Sequence, residues 1–112
     1  MKEATRVQEG KRIDHILAGA VDVGDVVPLG TGMIGIASTS GLAGEMIVLE
    51  IESVYEIAAT TADAVTEGAL LYFNETSREV TTTATSNTRA GRAVSAKTAA
   101  TAGSVLVKIN AA

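Results

Sequence analysis

Two stretches of this chain open on Gly-x-Ala and close on alternating apolar residues, and that pattern commits most of its length to β-strands. The first runs Gly35-Ile36-Ala37, a short polar loop, and then residues 44–57; the second runs Gly91-Arg92-Ala93-Val94, an Ala/Thr-rich loop, and then Gly103-Ser104-Val105-Leu106-Val107-Lys108-Ile109-Asn110. In the first, Ile47, Leu49, Ile51, Tyr55 and Ile57 hold odd positions, while Glu50, Glu52 and Glu56 hold even ones. A period of two places one face on a core and the other in water. Strands rarely run past about 10 residues, so this block is expected to bend or bulge near Ser53. A looser duplication accompanies the pattern: Val23-Gly24-Asp25-Val26-Val27 precedes the first Gly-x-Ala as Glu67-Gly68-Ala69-Leu70-Leu71 precedes the second. Two related halves around one core would account for it.

Helical periodicity is absent from most of the chain, and eleven glycines cut it into pieces too short for ordinary helices. Further strands are expected at residues 5–8, 12–16, 25–29, 33–37, 69–73, 79–83 and 89–94, each bounded by Gly, Asn, Asp or Ser. Residues 58–67 are Ala/Thr-rich and fit a helical turn or a loop equally well. Many short strands at close spacing define an all-β fold, a small β-barrel or β-sandwich. At 112 residues the chain fits one domain. Residues 1–12 are read as an N-terminal arm or first strand, and residues 13–112 as a single β-domain. With only Tyr55, Tyr72 and Phe73 as aromatics the core is small in volume, and self-association is a common remedy for a small core.

The chain contains no cysteine, which removes disulfides, thiolate metal sites and cysteine nucleophiles. The first residues carry no apolar run resembling a signal peptide, and no stretch approaches the roughly 20 apolar residues that cross a bilayer. The expectation is a protein made and used without export. Net charge is −4, but its distribution is more informative: between Asp14 and Glu79 eleven acids face one base, Arg78, whereas only Arg89, Arg92, Lys97 and Lys108 come after. The first twelve residues hold Lys2, Arg6, Lys11 and Arg12 against Glu3 and Glu9. Such segregation suits subunits that meet acidic face to basic face, or ends that dock on an acidic surface; folding that interleaves the segments would instead leave a mixed surface.

No motif points to catalysis. Gly30-Thr31-Gly32-Met33-Ile34-Gly35 matches the dinucleotide fingerprint, but its glycines lead into a short strand and a loop, not into the helix whose N-terminus would hold a pyrophosphate. A Gly-rich hairpin turn is the better reading. Glu50 and Glu52 would stand about 7 Å apart on one strand face, within reach of paired-carboxylate hydrolysis, yet no aromatic platform or third polar group accompanies them. His15 is the only histidine, so no His-based metal cage is available. Negative charge and the lack of basic residues interleaved with aromatics argue against nucleic acid. No cofactor is implied.

Read in order, Val7-Gln8-Glu9-Gly10, Ile13-Asp14-His15, Val23 to Val27, Gly35-Ile36-Ala37, Val48 to Ile57, Gly68 with Leu71-Tyr72-Phe73-Asn74, Val80 to Ala84, Asn87, Gly91-Arg92-Ala93 and Val105 to Asn110 resemble the small phage head decoration, or capsid cement, proteins. The resemblance spans nearly the whole chain. Two departures stand out: Ser53 replaces an expected glycine, and Phe73 a common tryptophan. The resemblance implies a structural, non-enzymatic β-module, synthesised in the host cytoplasm, that binds the outside of a tailed-phage shell. Its partners would be the major capsid protein and itself, as homotrimers at threefold positions, with neither nucleic acid nor membrane involved. On this reading Lys2, Arg6, Lys11 and Arg12 face acidic groups of the shell, and the charge split places Arg89 and Arg92 of one subunit against Glu50 and Glu52 of the next. A virion-surface module for glycans or another ligand, and a fibre or tail subunit, are the alternatives.

Overall fold

The computed structural model describes residue 4 and residues 10–112, so the expected strand at residues 5–8 lies outside the described residues. Among the described residues nine strands occur, in the order β1 (Arg12–Ile16), β2 (Val26–Leu29), β3 (Met33–Ala37), β4 (Met46–Glu50), β5 (Val54–Ala59), β6 (Leu70–Asn74), β7 (Glu79–Thr81), β8 (Thr88–Ala93) and β9 (Gly103–Ile109). The first four form an open sheet in the order β1-β4-β3-β2, and the other five a closed barrel in the order β5-β7-β6-β8-β9. The all-β reading holds, and of its two forms the barrel is realised in the second half. The long block breaks where expected, at Ser53, whose φ of 128° leaves the extended region. It is more than a bulge, since β4 belongs to the sheet and β5 to the barrel. Residues 60–64 form a loop without a helical turn, and Gly30–Gly32 turn the chain from β2 into β3.

The two halves share a set of corresponding backbone bonds. Gly24 N–H donates to Ala37 O at 2.8 Å, and Gly68 N–H to Ala93 O at 2.7 Å. Ala37 N–H donates to Asp25 O as Ala93 N–H does to Ala69 O, both at 2.9 Å. The isolated bridges Val21 to Gly41 and Val65 to Lys97 correspond as well. The order β1-β4-β3-β2 thus matches β5-β9-β8-β6, and β7 is the strand that the second half adds. It pairs antiparallel with β6 and parallel with β5, and so closes the barrel.

Gly-x-Ala acquires its meaning from this duplication. A Cβ at Gly35 would stand 2.9 Å from Leu49 Cβ, and one at Gly91, where φ is 144°, would run into Lys108 O and stand 2.9 Å from Asn110 N. Both glycines let a neighbouring strand pass closely, and the nearby Ala37 and Ala93 are buried in the two cores. One core fills the barrel around Phe73, Leu71, Val80, Val105 and Val107, and it also takes in Ile34 and Ile36 of the open sheet. A smaller cluster, Leu17, Ala37, Ile47 and Leu49, lies on the opposite face of that sheet.

Polar bonds complete the junction. β3 pairs with β4 only at Ile36 and Ala37; past them the strands splay, and the side chain of Asn110 takes the vacated place. Its Oδ1 accepts from Ile34 N–H at 2.9 Å, and its Nδ2 donates to Ile34 O and to Ile51 O, each at 2.8 Å. Arg78 donates to Val26 O at 2.7 Å with its guanidinium 4.9 Å from the Phe73 ring centroid. In the loop before β6, the Asp63 carboxylate accepts from the Thr81 hydroxyl at 2.6 Å and from Thr82 N–H at 3.0 Å, clipping β7 in place.

Asn110→Ala leaves Ile34 N–H and two carbonyls without partners in a part-buried junction, so it should cost on the order of 3 kcal/mol in denaturant unfolding. The hydroxyl of Thr81, then Thr82 N–H, hold the Asp63 carboxyl below its ordinary value of 3.8. A depressed carboxylate stabilises the fold above its unfolded pKa, and that stability drains as pH falls through the folded one. Asp63→Asn should therefore lower stability at neutral pH and flatten its acid limb below about pH 4, read as Tm against pH.

Candidate interaction surfaces

The residues expected to meet partners occupy two regions. On the open sheet, Arg12 on β1 lies opposite Glu50 on β4, and Arg12 Nε donates to Glu50 Oε1 at 2.9 Å. Residues assigned to two different contacts are therefore joined within one subunit. The Arg12 side chain is 70% exposed and Glu50 25%, and exposed pairs of this kind contribute about 0–1 kcal/mol. Burial, followed by the Glu50 charge, raises the pKa of nearby Tyr55. Lys11 is exposed just ahead of β1, and Lys2 and Arg6 lie outside the described residues. β4 ends at Glu50, and Glu52 is exposed in the bend before β5. The two glutamates thus do not share a strand face, which removes the paired-carboxylate geometry.

On the barrel, Arg89 and Arg92 stand on β8 and bind carbonyls of their own chain. Arg89 Nη2 donates to Ala111 O, while Arg92 donates to Gly68 O at 3.2 Å and to Ala112 O at 3.3 Å. They fasten residues 111 and 112 against the barrel, which in turn backs Asn110. Among the described residues no group of acids and histidine is arranged to hold a metal ion.

An apolar surface that the sequence does not reveal lies on the open sheet. Ile16 and Met46 are directly opposite each other across β1 and β4 and are 60% and 63% exposed. Val48 continues that face, and Leu106, the counterpart of Val48 in the duplication, is also exposed on β9 beside Val94. Alternation hides this surface, because Met46 and Val48 fill the outward positions of β4 that Glu50 then continues. Clustered exposed apolar side chains mark contact surfaces more often than chance.

An all-β body with its chemistry on outer faces is the build of a structural, surface-binding protein. The sequence pattern of the phage cement proteins matches residues 7–109, and the chain belongs to that family. No curated protein and no solved structure matches it. As a phage cement protein it is a capsid component that stabilises the shell.

Met46→Glu changes a largely exposed side chain that belongs to neither core cluster, so unfolding stability should stay within about 0.5 kcal/mol of wild type. Association with partner surfaces should fall, as measured by sedimentation of the free protein and by co-sedimentation with capsids.

Proposed function

We propose that this protein binds the outer surface of a tailed-phage capsid after the shell is built, contacts the major capsid protein, and reinforces the lattice against internal pressure. The observation that carries the reading is the family match across 7–109 on a body held together mainly by β-ladders. Strand ladders and a cross-linked junction resist deformation, which suits a protein that must bridge shell subunits without yielding.

Self-association is part of the same proposal, with three copies around threefold positions. Exposed Ile16 and Met46 offer an apolar contact, and Glu52 on one copy complements the basic barrel face that carries Arg89 and Arg92 on the next. The N-terminal stretch, with Lys2, Arg6 and Lys11, is the element that reaches beyond its own subunit. Host-cytoplasmic synthesis and display on the virion exterior accompany this role.

The molar ratio of this protein to major capsid protein in gradient-purified particles, measured by quantitative mass spectrometry, tests the function. A ratio near one is expected for a stoichiometric lattice component; absence from particles rejects the cement role. Deleting residues 2–9 should abolish particle binding and leave the circular dichroism of the β-body unchanged. Glu52→Lys should weaken self-association, with the larger loss at low salt, where screening is least.

A further inference from the structure

We propose that the open flank of the first half receives residues 5–8 of a second copy of this chain as a strand, in the place that β7 occupies in the second half. The inference rests on the cement reading only in taking neighbouring copies to meet on the shell.

The duplication defines the vacant position residue by residue. Ser38 N–H donates to Val48 O as Val94 N–H does to Leu106 O, so β4 corresponds to β9 with Met46 in the place of Ser104. Ile16 pairs with Met46 and Ala58 with Ser104; hence Ile16 and Ala18 stand where Ala58 and Thr60 stand. In the barrel, Ala59 lies level with Val80 of β7, and Thr60 N–H donates to Val80 O at 2.9 Å. The bonds of Leu17 N–H to Glu45 O and Ile51 N–H to Lys11 O put odd residues of β1 into the ladder with β4. Ile16 and Ala18 therefore direct their backbone groups the other way, towards a cleft of about 410 Å³ between β1 and β2.

The cleft also restricts how an occupant can bind. On its β2 side, Ala37 N–H to Asp25 O sets odd residues against β3, so Val26 and Pro28 face the cleft. Val26 O is taken by Arg78, and Pro28 has no N–H to donate, as befits an edge. The pairing of an added strand falls mainly on β1. Among the described residues the cluster under the cleft has no counterpart of Val80, which is fully buried, and Val21, Val27 and Leu29 around it are only partly covered.

Residues 5–8 match that vacancy in pattern, charge and reach. Arg6-Val7-Gln8 repeats the polar, apolar, polar order of Glu79-Val80-Thr81 with the leading charge reversed. Titratable groups lining the cleft are His15, Asp25, Glu75 and Arg78. Arg78 is already held by Val26 O and Phe73, and Asp25 Oδ2 accepts from Asp22 N–H at 2.9 Å, so Glu75 is the carboxylate of the cleft placed to meet Lys2 or Arg6. Nine residues in extended form span about 30 Å, enough to cross to an adjacent subunit. Direction then decides which copy supplies the strand. A β7-like strand runs parallel to β1, and parallel neighbours need a crossover of about a dozen residues or more. Within one chain only residues 9–11 separate this segment from β1, so a parallel strand has to come from another copy.

Hydrogen exchange of the Ile16 and Ala18 amides, followed by NMR on the free full-length protein and by mass spectrometry on assembled particles, tests the proposal. At high protein concentration and on particles these amides should exchange at least roughly tenfold more slowly than in dilute monomer. Val7→Pro should abolish that protection without altering the remaining amides. Protection that persists in the dilute monomer would mean that the chain's own segment fills the cleft, and protection that survives Val7→Pro on particles would mean that a shell strand does; either overturns the proposal, as does no protection in both settings. A stoichiometric particle ratio with unprotected amides would sink the strand exchange alone. Concentration-dependent protection in a protein absent from particles would sink the cement role alone.

Discussion

The side chain of Asn110 makes the contact on which the two halves depend. An open four-stranded sheet buries only a small apolar cluster, too little to stand alone when each buried aliphatic side chain contributes roughly 1.5–3 kcal/mol. It persists because Ile34 and Ile36 dip into the barrel core, and they do so only if the polar backbone between β3 and β4 is satisfied where those strands part. Asn110 supplies one acceptor and two donors in the geometry of a strand. Its own φ of 59° turns the side chain inward, a conformation that asparagine tolerates better than most residues. Arg89 and Arg92 then fasten the residues behind it, so the basic side chains of β8 act on the junction as well as on the charge of the surface.

The two halves share one plan but not one degree of closure. Asp63 sits in a connection of five residues between Ala59 and Val65, where the first half has three between Leu17 and Val21. That longer link carries the carboxylate that holds β7, and β7 seals the barrel. In the first half the shorter Ala18-Gly19-Ala20 link offers no such clip, and among the described residues β1 and β2 are the edges of their sheet. Pro28 and the capped Val26 carbonyl blunt one of them, which limits indiscriminate pairing.

For a phage cement protein this division of labour is mechanically sensible. On the proposed role, load between shell subunits would travel through the cement body, and strand ladders with a cross-linked junction would transmit it with little local unfolding. The exposed faces of β1, β4 and β9 alternate apolar and charged side chains, so contact area and specificity come from the same strands. Gly35 on β3 and Gly91 on β8 let β4 and β9 pass closely beside them.

Strand positions, the break at Ser53, the hairpin after Leu29 and the relatedness of the halves were legible from spacing alone, because alternation and glycine placement are local properties of a chain. The class of protein was legible as well, through the order of many weak motifs. Three things needed the tertiary structure. Arg12 and Glu50 are 38 residues apart and meet only through strand register, so an arm residue and an interface residue proved to be one ion pair. Arg89 and Arg92, expected at a contact with the next subunit, bind carbonyls of residues 68, 111 and 112 in their own chain. The exposed Ile16 and Met46 meet only through the β1–β4 register, and with Val48 they form an apolar surface on the face that Glu50 shares, since alternation tells which side chains share a face but not which strands bring them together. Local periodicity determined that this chain makes strands in two similar sets; long-range packing alone decided that one set closes and the other stays open, because closure depends on where a seventh strand and its carboxylate clip happen to land.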